Sequence, residues 1–147
     1  ASEVAEDLRS NAEKHGITIT VDTKTAVING NRNQIYELIY NLCDNAIRYN
    51  RENGSVKIIT GDDNEHPFVK VADTGIGIAP EEQGKVFERF YRVDKSRSKA
   101  RGGTGLGLAI VKHAALYHHA TLDLSSELGV GTTITVTFPI QQDEPFA

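Results

Sequence analysis

Three segments of this sequence carry residue types whose spacing suits a phosphate-bearing ligand. In the first, Asn41, Asn45 and Arg48 stand at i, i+4 and i+7. On a helix turning about 100° per residue this spacing confines their side chains to a stripe of about 60°. A carboxamide oxygen is a neutral hard ligand for Mg²⁺, which otherwise keeps waters and takes phosphate oxygens, and a guanidinium can hold a phosphate. The same pattern also fits an ordinary solvated helix face. In the second segment, Asp73-Thr74-Gly75-Ile76-Gly77-Ile78, a carboxylate is followed by glycines that let backbone approach a ligand closely. Such a carboxylate can accept a hydrogen bond from an exocyclic amine, favouring adenine over guanine, or can simply satisfy the amides of its own turn. Asp-Thr-Gly also opens aspartic protease loops, but that chemistry needs two carboxylates sharing a proton and hence a dimer, and nothing else in the sequence supports it. The third segment, Gly102-Gly103-Thr104-Gly105-Leu106-Gly107-Leu108, runs into an apolar stretch with helical character, an arrangement whose free amides bind phosphate. It lacks the Gly-Lys-Ser/Thr ending of a P-loop and the dinucleotide G-x-G-x-x-G spacing.

These segments need elements to position them. Glu3 to Lys14 reads as a lead-in helix stopped by His15-Gly16, and the alternation over Ile17 to Val21 as a strand. Ala26 to Ile28 suggests a short strand before the Asn29-Gly30 turn. From Asn33 to about Asn50, Ile35, Leu38, Ile39, Leu42, Ala46 and Ile47 recur at three and four, predicting a long helix that carries the amide stripe. Ser55 to Gly61 and Pro67 to Ala72 form a hairpin that delivers Asp73 at a strand end. Pro80 with Glu81 and Glu82 starts a helix. The polar stretch 94–104 reads as a mobile loop, Leu106 to His118 as a second long helix, and Thr121 to Ser125 with Thr132 to Phe138 as the last strands, followed by a frayed tail, 140–147. This order predicts an α+β fold, a two-layer α/β sandwich: a mixed, mostly antiparallel sheet with helices on one face.

Composition bounds the remaining classes. The 147 residues, 39% of them hydrophobic, suit one domain with a real core. A net charge of −4 argues against nonspecific nucleic-acid binding, although Arg89, Arg92, Lys95, Arg97, Lys99 and Arg101 make one locally basic segment that suits a small polyanion. No apolar run approaches the roughly 20 residues that span a bilayer. One cysteine, Cys43, excludes an internal disulfide, and the absence of Met even at position 1 suggests a cytosolic fragment of a longer protein.

Together, Asn41 to Tyr49, Asp73 to Ile78, Val86 to Asp94 and Gly103 to Leu108 resemble the N, G1, F and G2 boxes of bacterial sensor histidine kinases, in the family's order and roughly its spacing. The resemblance covers about Asn31 to Phe138. It implies a Bergerat-type fold with an ATP lid at 94–104, binding Mg²⁺ and ATP or ADP. It further implies that Asn45 ligates Mg²⁺ with Asn41 in support, that Arg48 contacts phosphate where the family usually has Lys, and that Tyr49 packs on adenine. Asp73 would bond the adenine amino group, while Gly75, Gly77 and Ile78 shape the base pocket. Tyr91 and Arg92 would reach the phosphates, with Arg92 catalytic alongside Asn41 and Asn45. Gly103, Thr104, Gly105, Leu106 and Gly107 would close over them. Arg for Lys keeps the charge but changes the donor geometry.

Relatives that hydrolyse ATP carry Glu where this chain has Asn41, and a carboxamide cannot act as general base. The resemblance therefore implies transfer of the γ-phosphoryl group to a histidine on a dimerisation domain of the same polypeptide, and onward to a response regulator. None of the five histidines fits that phosphoacceptor: His15 ends a helix, His66 lies beside Pro67, and His113, His118 and His119 belong to the second long helix or its exit without the acidic neighbour of that motif, so all five read as surface residues. The family context implies the cytoplasmic part of a membrane-anchored, homodimeric sensor, of which this chain alone is a monomer. Three rivals are a serine-directed anti-sigma-factor kinase, a conformational ATPase module and a degenerate regulatory ATP-binding domain. Val86 to Asp94 speaks against the first, Asn41 against the second, and the intact boxes against the third.

Overall fold

The computed structural model describes residues 2–24, 28, 30–87 and 107–140. Helix α1 (Ser2–Lys14) leads into β1 (Thr18–Thr23), followed by α2 (Arg32–Arg48), the hairpin β2 (Ser55–Asp63) and β3 (His66–Asp73), a one-turn 3-10 helix (Pro80–Glu82), α3 (Gly107–Tyr117), β4 (Thr121–Glu127) and β5 (Gly131–Thr137). The sheet order is β1-β2-β3-β5-β4, with β1 parallel to β2 and every other pairing antiparallel. The mixed, mostly antiparallel sandwich expected from the sequence is the one observed. The expected strand at Ala26 to Ile28 falls largely outside the described residues, as does the whole 94–104 segment. The acidic turn after Pro80 forms three residues of 3-10 helix rather than a longer α-helix.

The core lies between the helical layer and one sheet face. Alternation puts Val56 and Ile58 of β2, Val69 and Val71 of β3, and Ile134 and Val136 of β5 on that face, all buried. Leu38, Leu42, Ala46 and Ile47 of α2 and Val111, Ala114 and Ala115 of α3 cover them. The expected lead-in helix, α1, is part of this core, with Val4, Ala5, Leu8 and Ala12 all buried. α2 starts where the Asn31 side chain caps it by accepting the Gln34 N–H at 3.1 Å.

The expectation of five surface histidines fails. His118 is only 8% exposed, packed edge-on to Phe138 with ring centroids 6.1 Å apart. His66 is half-buried, its Nδ1 lying 3.1 Å from the Phe138 carbonyl oxygen. Both are fixed by the C-terminal strand, a contact across the fold that local sequence does not reveal. Among the described residues, no helix is long and apolar enough to cross a membrane.

Candidate nucleotide site

β3 ends at Asp73, between Val56 of β2 and Thr132 of β5. Its Oδ1 accepts the Gly75 N–H at 2.8 Å and the Thr132 N–H at 3.1 Å. Burial pushes the carboxyl from 3.8 up to about 6, against the opposing pull of these two amides. Among the described residues nothing bonds Oδ2. The result is a carboxylate clamped through one oxygen.

The loop after Asp73 is held on two sides. The end of α2 provides one: the Tyr49 carbonyl accepts the Ile76 N–H at 3.0 Å, and Arg51 donates to the carbonyls of Gly75, at 3.2 Å, and Gly129. Asn50, fully buried, accepts from the Thr74 hydroxyl at 3.2 Å and donates to the Ser55 carbonyl at 2.9 Å. The β4–β5 hairpin provides the other side. Ser126 Oγ accepts the N–H of buried Ile78 at 2.7 Å, and the Ile76 carbonyl accepts the Gly129 N–H at 2.8 Å. Gly75 and Gly77 are required by this packing. A Cβ on Gly75 would stand 2.3 Å from the Tyr49 carbonyl oxygen, and one on Gly77, at φ +75°, would stand 2.2 Å from the Glu127 carbonyl oxygen. Sequence reading missed Asn50, Arg51, Ser126 and Thr132. The signal available was a polar residue at a helix end followed by a turn glycine, since Gly54 leaves room for the Asn50 carboxamide.

On α2 and its C-cap, Asn41, Asn45, Arg48 and Tyr49 are all part-exposed. Asn41 donates to the Glu37 carbonyl at 2.7 Å, and its Oδ1 lies 3.3 Å from where a Cβ on Gly107 would stand, so the α3 N-terminus abuts the amide edge. Arg48 is less free than its sequence position suggests. It pairs with Asp44 through Nε at 2.7 Å, and its Nη1 is buried without a partner among the described residues. Such an unmet guanidinium nitrogen suits an anion. From Asn41 to Tyr49 the helix rises about 12 Å, which separates a polar edge from the carboxylate pocket. Among the described residues no group of three His, Cys, Asp or Glu side chains could hold a metal, so a cation here would rely on amide and ligand oxygens. Of the other expected site residues, Tyr91, Arg92, Gly103, Thr104, Gly105 and Leu106 lie outside the described residues. Phe87 packs part-buried against the core.

Comparison with known proteins gives this geometry its relatives. Sensor histidine kinase RppB of Synechocystis is 46% identical over 111 residues, 76% of this chain and 24% of the relative. Sensor-like histidine kinase SenX3 of Mycolicibacterium smegmatis is 44% identical over 133 residues, 90% of this chain and 35% of the relative. This chain thus spans a quarter to about a third of such proteins. Among solved structures, the mycobacterial sensor histidine kinase MprB superposes with a TM-score of 0.80 at 29% identity, over 94% of each chain. Full-length ShkA, solved in complex with AMPPNP, superposes with a TM-score of 0.81 at 27% identity, over 97% of this chain and 29% of that one. The family model described as histidine kinase-, DNA gyrase B- and HSP90-like ATPase matches residues 30–142, and with the observed fold this establishes that the chain belongs to that family, as a homologue of the sensor histidine kinases.

Proposed function

We propose that this chain is the ATP-binding catalytic unit of a two-component sensor kinase, holding MgATP and donating its γ-phosphoryl group to a histidine on a separate helical domain of the same polypeptide, for onward transfer to a response regulator. The observation that carries the reading is Asp73, clamped through Oδ1 by two backbone amides with Oδ2 unbonded among the described residues. An exocyclic amino group of adenine matches that oxygen, whereas guanine presents a carbonyl there and would be repelled. Tyr49, Gly75, Gly77 and Ile78 form the walls of the base pocket. Asn45, supported by Asn41, supplies amide oxygens to Mg²⁺, and Arg48 Nη1 meets a phosphate oxygen. When bound, Mg²⁺ neutralises charge on the phosphates as the phosphoryl group departs.

The neutral Asn41, where a base would activate water, favours transfer to an incoming nucleophile over hydrolysis. The AMPPNP complex of ShkA supports the ligand class. The resemblance adds Tyr91 and Arg92, with Gly103, Thr104, Gly105, Leu106 and Gly107, as further phosphate contacts. In the full protein this unit would lie in the cytoplasm, within a homodimer anchored to a membrane. The 147 residues alone would form one monomeric domain.

The test is calorimetric titration of ATP, ADP and GTP with Mg²⁺ into the chain, followed by phosphotransfer from γ-labelled ATP to a separately supplied phosphoacceptor domain. Adenine-selective binding and labelled histidine are expected. Equal GTP binding would overturn the adenine pocket, and ATP binding without transfer would favour a regulatory domain.

A further inference from the structure

We infer that His118 is a positioning residue that sets where the N-terminus of α3 stands against the amide edge of α2; this rests on the nucleotide reading above. Its Nε2 lies 3.1 Å from the Asn31 backbone N–H, and its Nδ1 lies 2.8 Å from the Ala114 carbonyl oxygen. The two partners leave one protonation pattern. A backbone N–H only donates and a carbonyl only accepts, so Nε2 must be bare and Nδ1 must carry the proton. Both ring nitrogens are thereby used, and the ring is a two-point bridge from the end of α3 to the N-cap of α2.

Two features show that the bridge is built in rather than incidental. The ring is 8% exposed and seated between Tyr117 and the buried Phe138. Position 30 is glycine, and a Cβ there would stand 2.5 Å from Nε2. Asn31 is also the residue whose side chain caps α2. The helices run antiparallel, so α3 meets α2 at two ends: His118 at Asn31, and Gly107 at Asn41. α3 is 11 residues long, a rod of roughly 16 Å. A slide at its His118 end is therefore transmitted to Gly107. The end that moves is the one beside Asn41, while the Asp73 carboxylate is held by the Gly75 and Thr132 amides and has no hydrogen bond to α3 among the described residues.

The consequence is separable by ligand. His118→Leu should weaken MgATP binding by about five- to tenfold, the weight of one buried hydrogen bond, and leave adenosine affinity unchanged. His118→Gln, whose carboxamide can accept from Asn31 and donate toward Ala114, should restore MgATP binding to within about twofold. Titrations of the chain with MgATP and with adenosine, alongside urea unfolding, read this directly. Equal loss for both ligands would reduce His118 to a stability residue, and no loss for either would overturn the inference. Should the leucine variant fail to fold, imidazole ¹⁵N shifts of the wild-type chain decide: a single neutral ring protonated at Nδ1 is required, and an Nε2–H ring overturns the bridge. Failure of the wild-type chain to bind either ligand would instead overturn the nucleotide reading.

Discussion

Replacing Asp73 with Asn should make this protein more stable and blind to adenine at once. The folded carboxyl titrates near 6 instead of 3.8 because it is buried, so the folded state holds its proton to higher pH than the unfolded chain does. Stability is therefore lost as pH rises through the window from about 4 to about 6, and the full penalty is present above it. At about 1.4 kcal/mol per pKa unit the ceiling is about 3 kcal/mol. Because Asp73 is only part-buried, solvent screening lowers this, and about 1–2 kcal/mol is expected at pH 7.5. Asn keeps an oxygen for the Gly75 and Thr132 amides and carries no charge, so it removes the penalty without dismantling the clamp.

The same exchange turns an NH₂ group toward the ligand, donor against donor. Losing a hydrogen bond to a charged acceptor costs about 1.5–3 kcal/mol, which corresponds to about 10- to 150-fold in ATP affinity. Urea unfolding at pH 4, 5, 6 and 7.5, paired with ATP titration at pH 7.5, measures both. Wild type and variant should converge in stability near pH 4 and separate above 6. A variant that is less stable at pH 7.5, or that binds ATP within twofold of wild type, refutes the reasoning.

Other expectations rest on single features. Gly77→Ala forces a side chain into left-handed backbone and against the Glu127 carbonyl; a loss of about 1–3 kcal/mol in unfolding free energy is expected, and an unchanged urea midpoint would contradict the packing. Asn50→Ala removes a buried hub of three hydrogen bonds and should destabilise the chain by about 2–4 kcal/mol while exposing unpaired groups, so a midpoint shift below that of a surface alanine would count against it. Asn45→Ala should weaken ATP binding in Mg²⁺ but leave binding in EDTA unchanged, and equal weakening in both would remove Asn45 from the metal. Cys43 is fully buried, and its thiol is pushed up to about 12 by that burial. Native protein at pH 8 should resist a disulfide-exchange reagent that labels one thiol in urea, and prompt native labelling would contradict the packed N box.

Most of the architecture was legible because it rests on local periodicity. The three- and four-residue spacing of Ile35 to Ile47 located α2, the alternation over Ile17 to Val21 located β1, and short apolar runs bounded by turns located β2, β3 and β5. The Asp73 segment was legible as a strand end followed by a close-packed glycine loop, but sequence left both a ligand and the turn's own amides as partners for the carboxylate, and its Oδ1 does accept the Gly75 amide. What stayed hidden depends on partners far apart in the chain. Arg51 reaches Gly75 and Gly129, 24 and 78 residues away, and His118 reaches Asn31, 87 residues away. The Asp44–Arg48 pair, by contrast, stands at i,i+4 on one helix and was within reach of sequence reasoning.

Those hidden contacts explain why the two halves of the site can act as one. Tyr49, Asn50 and Arg51, consecutive at the end of α2, bond the Ile76 amide, the Thr74 hydroxyl and the Gly75 carbonyl of the loop. The helix that carries Asn41 and Asn45 is thus tied to the loop that follows Asp73, so that, on the proposed reading, a base at Asp73 would direct its phosphates toward the amide edge. Among the described residues α3 makes no hydrogen bond to the loop after Asp73; its N-terminus abuts the edge at Gly107, and it is referenced to α2 by packing and through His118. On the proposed reading, base selection would belong to this frame, while phosphate contacts from α3 would follow the packing of α3 on α2, to which His118 adds a bridge. That division predicts which substitutions alter nucleotide choice and which alter only triphosphate affinity.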